Sequence, residues 1–308
     1  MKIAIDFGGT WIKISSYEGN SVEPVWFESI PAHSERGIYQ ALERTEQVIL
    51  AHGCSRPECL GIATPGIVDP VRRRITFING KYDDAVGFGF AAWCREHFGC
   101  QMVMSNDASA ALAGEVAYGC AQGFENVAML IIGTGVGTAA MMEGKIIRGV
   151  HNQAGILGGH FIINPFGRGC SCGATGCLET YAGSKEIIYQ AEAERDHVDS
   201  MIYQERPITM KGITDCWKKG DAYAGKIMTM AIGYYAAATV NLIHAYDPEC
   251  VVLSGGLMNS PEIVEETMKL VRRQAWLPWG EPAMRVAKHP ERSVSLGLLK
   301  GMNDYVNA

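Results

Sequence analysis

A chain of 308 residues, 47% hydrophobic and 19% charged, has the composition of a folded protein with a large core and excludes disorder. Its formal net charge of −6 offers no footprint for a nucleic acid. A bound polyanion must therefore be held by backbone N–H groups and a metal ion. Of the ten cysteines, Cys54, Cys59, Cys94, Cys100, Cys120, Cys216 and Cys250 follow no spacing pattern, and Asp6 interrupts the apolar start too soon for a secretion signal. Both features imply a reducing, cytoplasmic setting.

In chain order, an apolar strand over 2–7 runs into a Gly8-Gly9-Thr10 turn and a second strand over 11–17, closed by Glu18-Gly19. A helix is expected over 37–52 and a strand over 59–64. A loop region then extends to about Phe88, with Arg72-Arg73-Arg74 as a solvated turn. A helix to about His97, a strand over 101–105 and a helix over 108–118 follow. Residues 128–145 repeat the opening plan: AMLII leads into Gly133-Thr134-Gly135-Val136-Gly137, a second strand follows, and Glu143-Gly144 closes it. Gly8 and Gly133 stand as far apart as Glu18 and Glu143, so the chain reads as internally duplicated. Two similar α/β domains facing one another across a cleft are expected, the smaller from 1–118 with 293–308 and the larger from 119–292.

The second half holds one stretch, 227–246, without a charged side chain, long enough to span a membrane. Thr229, Gly233, Thr239, Asn241 and His244 dilute its apolarity, and Lys226 and Asp247 bound it, so a helix buried on most sides is the better reading. No membrane association is expected. A strand over 250–253, a Gly255-Gly256 turn, and a helix with Ser260 as N-cap and Pro261 at its first position complete the half.

Three patterns carry chemistry. His160 with Cys170, Cys172 and Cys177, at C-x-C-x4-C spacing with interleaved glycines, forms a Cys3His ligand set suited to structural zinc. DFGGT, GTGVG and SGGL each follow an apolar strand. One such corner alone is only a tight turn, but three suit a cleft that holds triphosphate and adenosine, because no Cβ blocks the approach of phosphate oxygens to the amides. None is a Walker loop or a G-x-G-x-x-G opening a helix. Asn106-Asp107 ends a strand and starts a helix. Asp107 there can cap the helix, accept a proton from a substrate hydroxyl, or do both. Asp6 is the natural partner of a nucleotide-bound Mg²⁺, through water.

Together these residues resemble the ROK family (repressor, open reading frame, kinase) within the actin-like, hexokinase-type ATPase superfamily, over essentially the whole chain. The matching positions are Asp6, Gly8, Gly9 and Thr10; Gly133, Thr134 and Gly135 with the two residues that follow; Ser254, Gly255 and Gly256; and the Cys3His set. The resemblance implies a two-domain actin-like ATPase (ribonuclease H-like) α/β fold with duplicated domains around a central cleft and a zinc-binding loop. It implies ATP and Mg²⁺ as partners of the glycine corners, Asp107 as catalytic base, and sugar contacts at Asn79, Asn106, His160 and Glu179. The implied activity is ATP-dependent phosphorylation of a hexose at its C6 hydroxyl by a homodimer.

Two positions depart from the family pattern. Leu157-Gly158-Gly159-His160 stands where sugar kinases carry Glu-x-Gly-His. The lost acceptor costs a glucose-like hydroxyl ~1–3 kcal/mol. That points to fructose, mannose, allose or an N-acetylhexosamine, or to sugar binding without transfer. Trp11 replaces a polar residue after the threonine. The family's repressors place a helix-turn-helix domain before the first phosphate strand; here that strand begins at residue 2, which favours the kinase branch.

Overall fold

Odd and even residues of the first strand face two different cores. In β1 (Lys2–Phe7), Ile3, Ile5 and Phe7 join one buried cluster and Ala4 another. In β4 (Cys59–Thr64), Leu60 and Ile62 join the first, and Cys59 and Ala63 the second. Both strands are therefore covered on both faces, which is why they read as unbroken apolar runs. The computed structural model describes residues 1–204 and 206–307. They fall into two units: Met1–Gly123 with Ile146–Ala154 and Glu291–Ala308, and Phe124–Lys145 with Gly155–Pro290.

The first unit contains, in chain order, β1, β2 (Trp11–Tyr17), β3 (Trp26–Pro31), α1 (Ile38–Ala51), β4, β5 (Ile67–Asp69), β6 (Arg74–Phe77), α2 (Phe90–Phe98), β7 (Gln101–Asn106) and α3 (Asp107–Tyr118). Its sheet runs β3-β2-β1-β4-β7, with β1 antiparallel to β2 and parallel to β4, and β4 parallel to β7. Leu42 and Ile49 of α1 and Phe90, Trp93 and Phe98 of α2 cover one face. The sequence reading missed β3, and it missed the β5–β6 hairpin inside the expected loop. Arg72 sits in that hairpin's turn and pairs with Asp69 at 3.2 Å.

The second unit carries β8 (Val127–Ile132), β9 (Val136–Met142), β10 (Lys145–Ile146), α4 (Glu179–Ala182), α5 (Ser184–Ala193), α6 (Met210–Lys218), α7 (Ala222–Tyr246), β11 (Cys250–Ser254), α8 (Pro261–Gln274) and β12 (Ala283–Val286). Its sheet order is β10-β9-β8-β11-β12, with β8 antiparallel to β9, parallel to β11, and β11 parallel to β12. The strand order, and the directions of its four strands β9-β8-β11-β12, thus repeat those of β2-β1-β4-β7 in the first sheet, as the glycine corners led us to expect. The final helix, α9 (Ser293–Val306), returns to the first unit, where Leu296, Leu298, Leu299 and Met302 cover the second face of its sheet.

Helix α7 begins five residues before the charge-free stretch and buries a wide face that runs from Ala231 and Ala238 through Tyr235 to Ala236 and Val240. Among the described residues no helix is long and apolar enough to cross a membrane. Its N-cap, Asp221, accepts from Ala224 N and Ser200 Oγ through Oδ1 and from Met201 N through Oδ2, each at 2.8 Å. Burial pushes this carboxyl up, but the donors outweigh it and hold the pKa below the ordinary value. Replacing Asp221 with Ala is expected to cost ~2 kcal/mol at neutral pH. Because the folded pKa is depressed, the advantage exists above the unfolded value of about 4 and fades as pH falls through the folded one. Urea midpoints of the two proteins at neutral and acid pH should converge; a constant gap would contradict this account.

Candidate active site

The first glycine corner joins β1 to β2. A β-carbon at Gly8 would lie 2.6 Å from the Trp11 carbonyl oxygen, and one at Gly9 would lie 2.6 Å from Lys81 Nζ. Only glycine fits at Gly8, against fixed backbone; at Gly9 the neighbour is the flexible end of a lysine. The Tyr82 hydroxyl donates to Gly8 O at 2.9 Å and the Ser34 hydroxyl to Gly9 O at 3.1 Å, so both carbonyls are engaged by neighbouring loops. Thr10 is exposed, and Ala32 N donates to its carbonyl at 3.0 Å.

Register sets the acids at one end of this sheet. Asp6 lies level with Ala63 of β4, and Ala63 with Ser105 of β7; Asn106 and Asp107 follow at once. Asp6 and Asp107 therefore share the carboxyl ends of parallel strands, where open α/β sheets bind ligands. Burial, and then the negative charge of Asp107, push the Asp6 carboxyl up to about 7, against the pull of Lys13. Burial also raises Asp107, opposed by the Ala108 N–H and by the Lys81 ammonium.

The helix cap falls on Asn106, not Asp107. Asn106 Oδ1 accepts from Ser109 N at 3.1 Å, and its Nδ2 donates to Gly66 O at 2.9 Å. Asp107 occupies the first helical position and accepts from Ala108 N at 2.8 Å through Oδ1 alone. Asn79 lies exposed in the loop after β6. Lys81, Tyr82 and Ser34 were not expected at the corner.

The second unit brings together the other two corners and Glu179. Gly133 N donates to Gly135 O at 3.0 Å, while Ser184 N and Lys185 N donate to Gly133 O and Thr134 O at 3.0 and 3.1 Å. Glu179 Oε2 accepts from Val136 N at 3.0 Å, and a side chain at Gly135 would overlap that carboxylate. Gly255 has φ +99° and packs so closely on Ile132 O that any β-carbon would overlap it. The Gly255-Gly256 corner is thereby seated on the end of β8, next to Gly133. Gly158 and Gly159, packed on Thr138 and on the Val136 carbonyl, tie the turn that carries His160 to β9.

The ligand atoms of His160, Cys170, Cys172 and Cys177 lie within 4.8 Å of one another. Cys170 Sγ stands 3.7 Å from His160 Nδ1, and Cys172 Sγ 3.6 Å from Cys177 Sγ. A tetrahedron with metal–sulfur bonds of about 2.3 Å has edges near 3.8 Å, so the spacing fits one ion. Gly173 and Gly176, at φ +90° and +81°, supply the left-handed turns that close the loop. The Ala174 N–H holds the Cys172 thiol below its ordinary value, whereas burial and then the neighbouring thiols push Cys177 up to about 12. Leu157 is 37% exposed and engages the turn only through its carbonyl, which accepts from His160 N at 2.9 Å.

Comparison with known proteins identifies relatives over nearly the whole chain. A glucokinase of Thermotoga maritima is 27% identical over 271 residues, spanning 85% of this chain and 84% of that one. The xylose repressor of Bacillus subtilis is 24% identical over 210 residues, spanning 68% and 51%. The crystal structure of a ROK hexokinase from Thermus thermophilus superposes with a TM-score of 0.79 at 28% identity over 99% of both chains. The ROK family model matches residues 2–300, and the chain belongs to the ROK family.

Proposed function

We propose that this protein is an ATP-dependent sugar kinase that transfers the terminal phosphoryl group of ATP to a hexose or hexose derivative, at the C6 hydroxyl. The observation that carries the reading is Asp107 at the first position of α3, at the same end of the sheet as Asp6 and the Gly8-Gly9-Thr10 corner. The two units are then the two domains of an actin-like ATPase. Asp107 accepts the hydroxyl proton, the oxygen attacks phosphorus, and the bond to the ADP oxygen breaks. Because this transition state is loose, the base acts late and needs only correct placement. The bond from Asn106 to Gly66 and its helix cap supply that placement. Asp6 would hold Mg²⁺ through water, and the ion would neutralise charge on the phosphates.

The Cys3His set would hold zinc with no position left for water, supplying a rigid frame. Coordination through His160 Nδ1 leaves Nε2 for a sugar hydroxyl. One zinc per chain is expected in the purified protein. Chelation, or Cys172→Ser, should lower stability by several kcal/mol. Metal analysis finding no zinc, with an unfolding midpoint indifferent to chelator, would remove the ion from this account.

Leu157 in the place of an acceptor favours a substrate other than glucose, or binding without transfer. Sugar-dependent ADP release measured over a panel of hexoses, N-acetylhexosamines and glycosides tests both. Release with at least one sugar is expected. None across the panel, with sugar binding intact, would favour a binding protein.

A further inference from the structure

Lys81 lies across Gly9 of the first glycine corner. A β-carbon on Gly9 would meet its Cδ, Cε and Nζ at 2.5–2.7 Å. The ammonium also lies close enough to Asp107 to oppose the effect of burial on that carboxyl. Lys81 thus lies over the loop expected to hold phosphates, with its charge felt by the acid expected to take the proton. Lys13, the other cation acting on these acids, is engaged at 2.8 Å by Glu291. No carboxylate oxygen of the described residues lies within ion-pair distance of Lys81.

The backbone on either side of Lys81 is fixed. Gly80, at φ +69°, donates to Asp83 Oδ1 at 2.8 Å. Tyr82, at φ +53° and 1% exposed, donates from its N–H to Ser34 O at 3.0 Å and from its hydroxyl to Gly8 O at 2.9 Å. Asp84 Oδ1 accepts from Ile38 N at 2.7 Å. The loop is therefore held on both sides of the half-buried Lys81, whose ammonium is left open to an incoming anion.

We propose that Lys81 is a phosphate-binding residue that contacts the terminal phosphoryl group of the bound triphosphate. This rests on the kinase reading for its chemistry but not for its binding test. Two acids face an incoming polyanion, and a compact ammonium offsets the repulsion. As the bond to ADP breaks, charge moves onto the bridging oxygen while the ammonium continues to neutralise the group in transfer. No proton leaves Lys81.

The test compares Lys81→Met, which keeps the apolar stem over Gly9, with Lys81→Arg, which keeps the charge. Calorimetric affinities for Mg²⁺ with AMPPNP and for Mg²⁺ with ADP are measured beside kcat and the unfolding midpoint. Lys81→Met should weaken the triphosphate analogue about 10-fold and ADP less than about 2-fold, and lower kcat about 100-fold, at an unchanged midpoint. Lys81→Arg should recover most of both. Equal affinity for both nucleotides in wild type and Lys81→Met would overturn the proposal, as would an equal loss for both with a lowered midpoint. If wild type releases no ADP with any sugar, the kinase reading fails, yet the preference for triphosphate over diphosphate still decides the role of Lys81.

Discussion

Replacing Asp107 with Asn should lower turnover about 10²- to 10⁴-fold while sugar and nucleotide affinities stay near wild type. The substitution keeps the shape and keeps an oxygen for the Ala108 N–H, and the cap at Asn106 is untouched. What disappears is the acceptor for the hydroxyl proton. The variant should also be no less stable than wild type, because the charge of Asp107 adds to burial in raising Asp6 to about 7. Removing one member of a repelling acid pair relieves a strain that the fold bears for function. ADP-release kinetics beside urea unfolding measure both effects. Unchanged turnover would refute Asp107 as the base, and a large fall in stability would make it a structural residue.

A single methyl group at Gly297 should be nearly as damaging, by another route. Helices α3 and α9 cross so closely that a side chain on Gly297 overlaps the Ala110 carbonyl, and one on Gly114 overlaps the Ser293 carbonyl. Beside that crossing the buried Glu115 accepts from Ser293 Oγ at 2.6 Å and from Cys120 N at 2.9 Å. Gly297→Ala must push the helix backbones apart and open the core of Ala110, Leu296, Leu299 and Met302, at a cost of ~3 kcal/mol or more. Since α3 starts with Asp107, a displacement of about 1 Å should also slow turnover on the order of 10²-fold. Gly233 of α7 provides the control, because nothing lies within 4 Å of a β-carbon there. Gly233→Ala should raise stability by ~0.5–1 kcal/mol. Similar urea midpoints for the two alanine variants would dismiss the crossing as the cause.

Strands β1 and β4, which end beside the acids, were legible because they are buried on both faces and therefore spelled as apolar runs; β7, which leads to Asp107, is fully buried only at Met102 and Met104. Strand β3, half exposed along its length, and the four-residue β12 give no such run and went unread. The clustering of the Cys3His set was legible from spacing alone, since close cysteines with interleaved glycines leave the loop few ways to close. Asp107 was legible as the residue after a strand, but not the division of labour with Asn106, which depends on which side chain reaches the Ser109 N–H. Ser260 was read correctly as the N-cap position of α8, yet its hydroxyl donates to Glu262 at 2.7 Å and makes no capping bond. Glu179, expected at a sugar, is found bracing the second glycine corner by accepting from Val136 N. Lys81 left no sequence signal. Its position follows from left-handed residues at Gly80 and Tyr82 and from a ring buried under Gly8, and tertiary packing alone decides all three.

The return of α9 to the first unit has a consequence for biosynthesis. On the ribosome, residues 1–123 emerge with Ala4, Tyr17, Cys59 and Ala63 lacking the helix that shields them, because Leu296, Leu299 and Met302 are translated long afterwards. The second unit, contiguous but for one short excursion, completes its own sheet with β12 before α9 is made. A nascent chain of this protein must therefore carry a sticky, half-clothed sheet through most of its synthesis, which makes the opening domain the natural client of a chaperone.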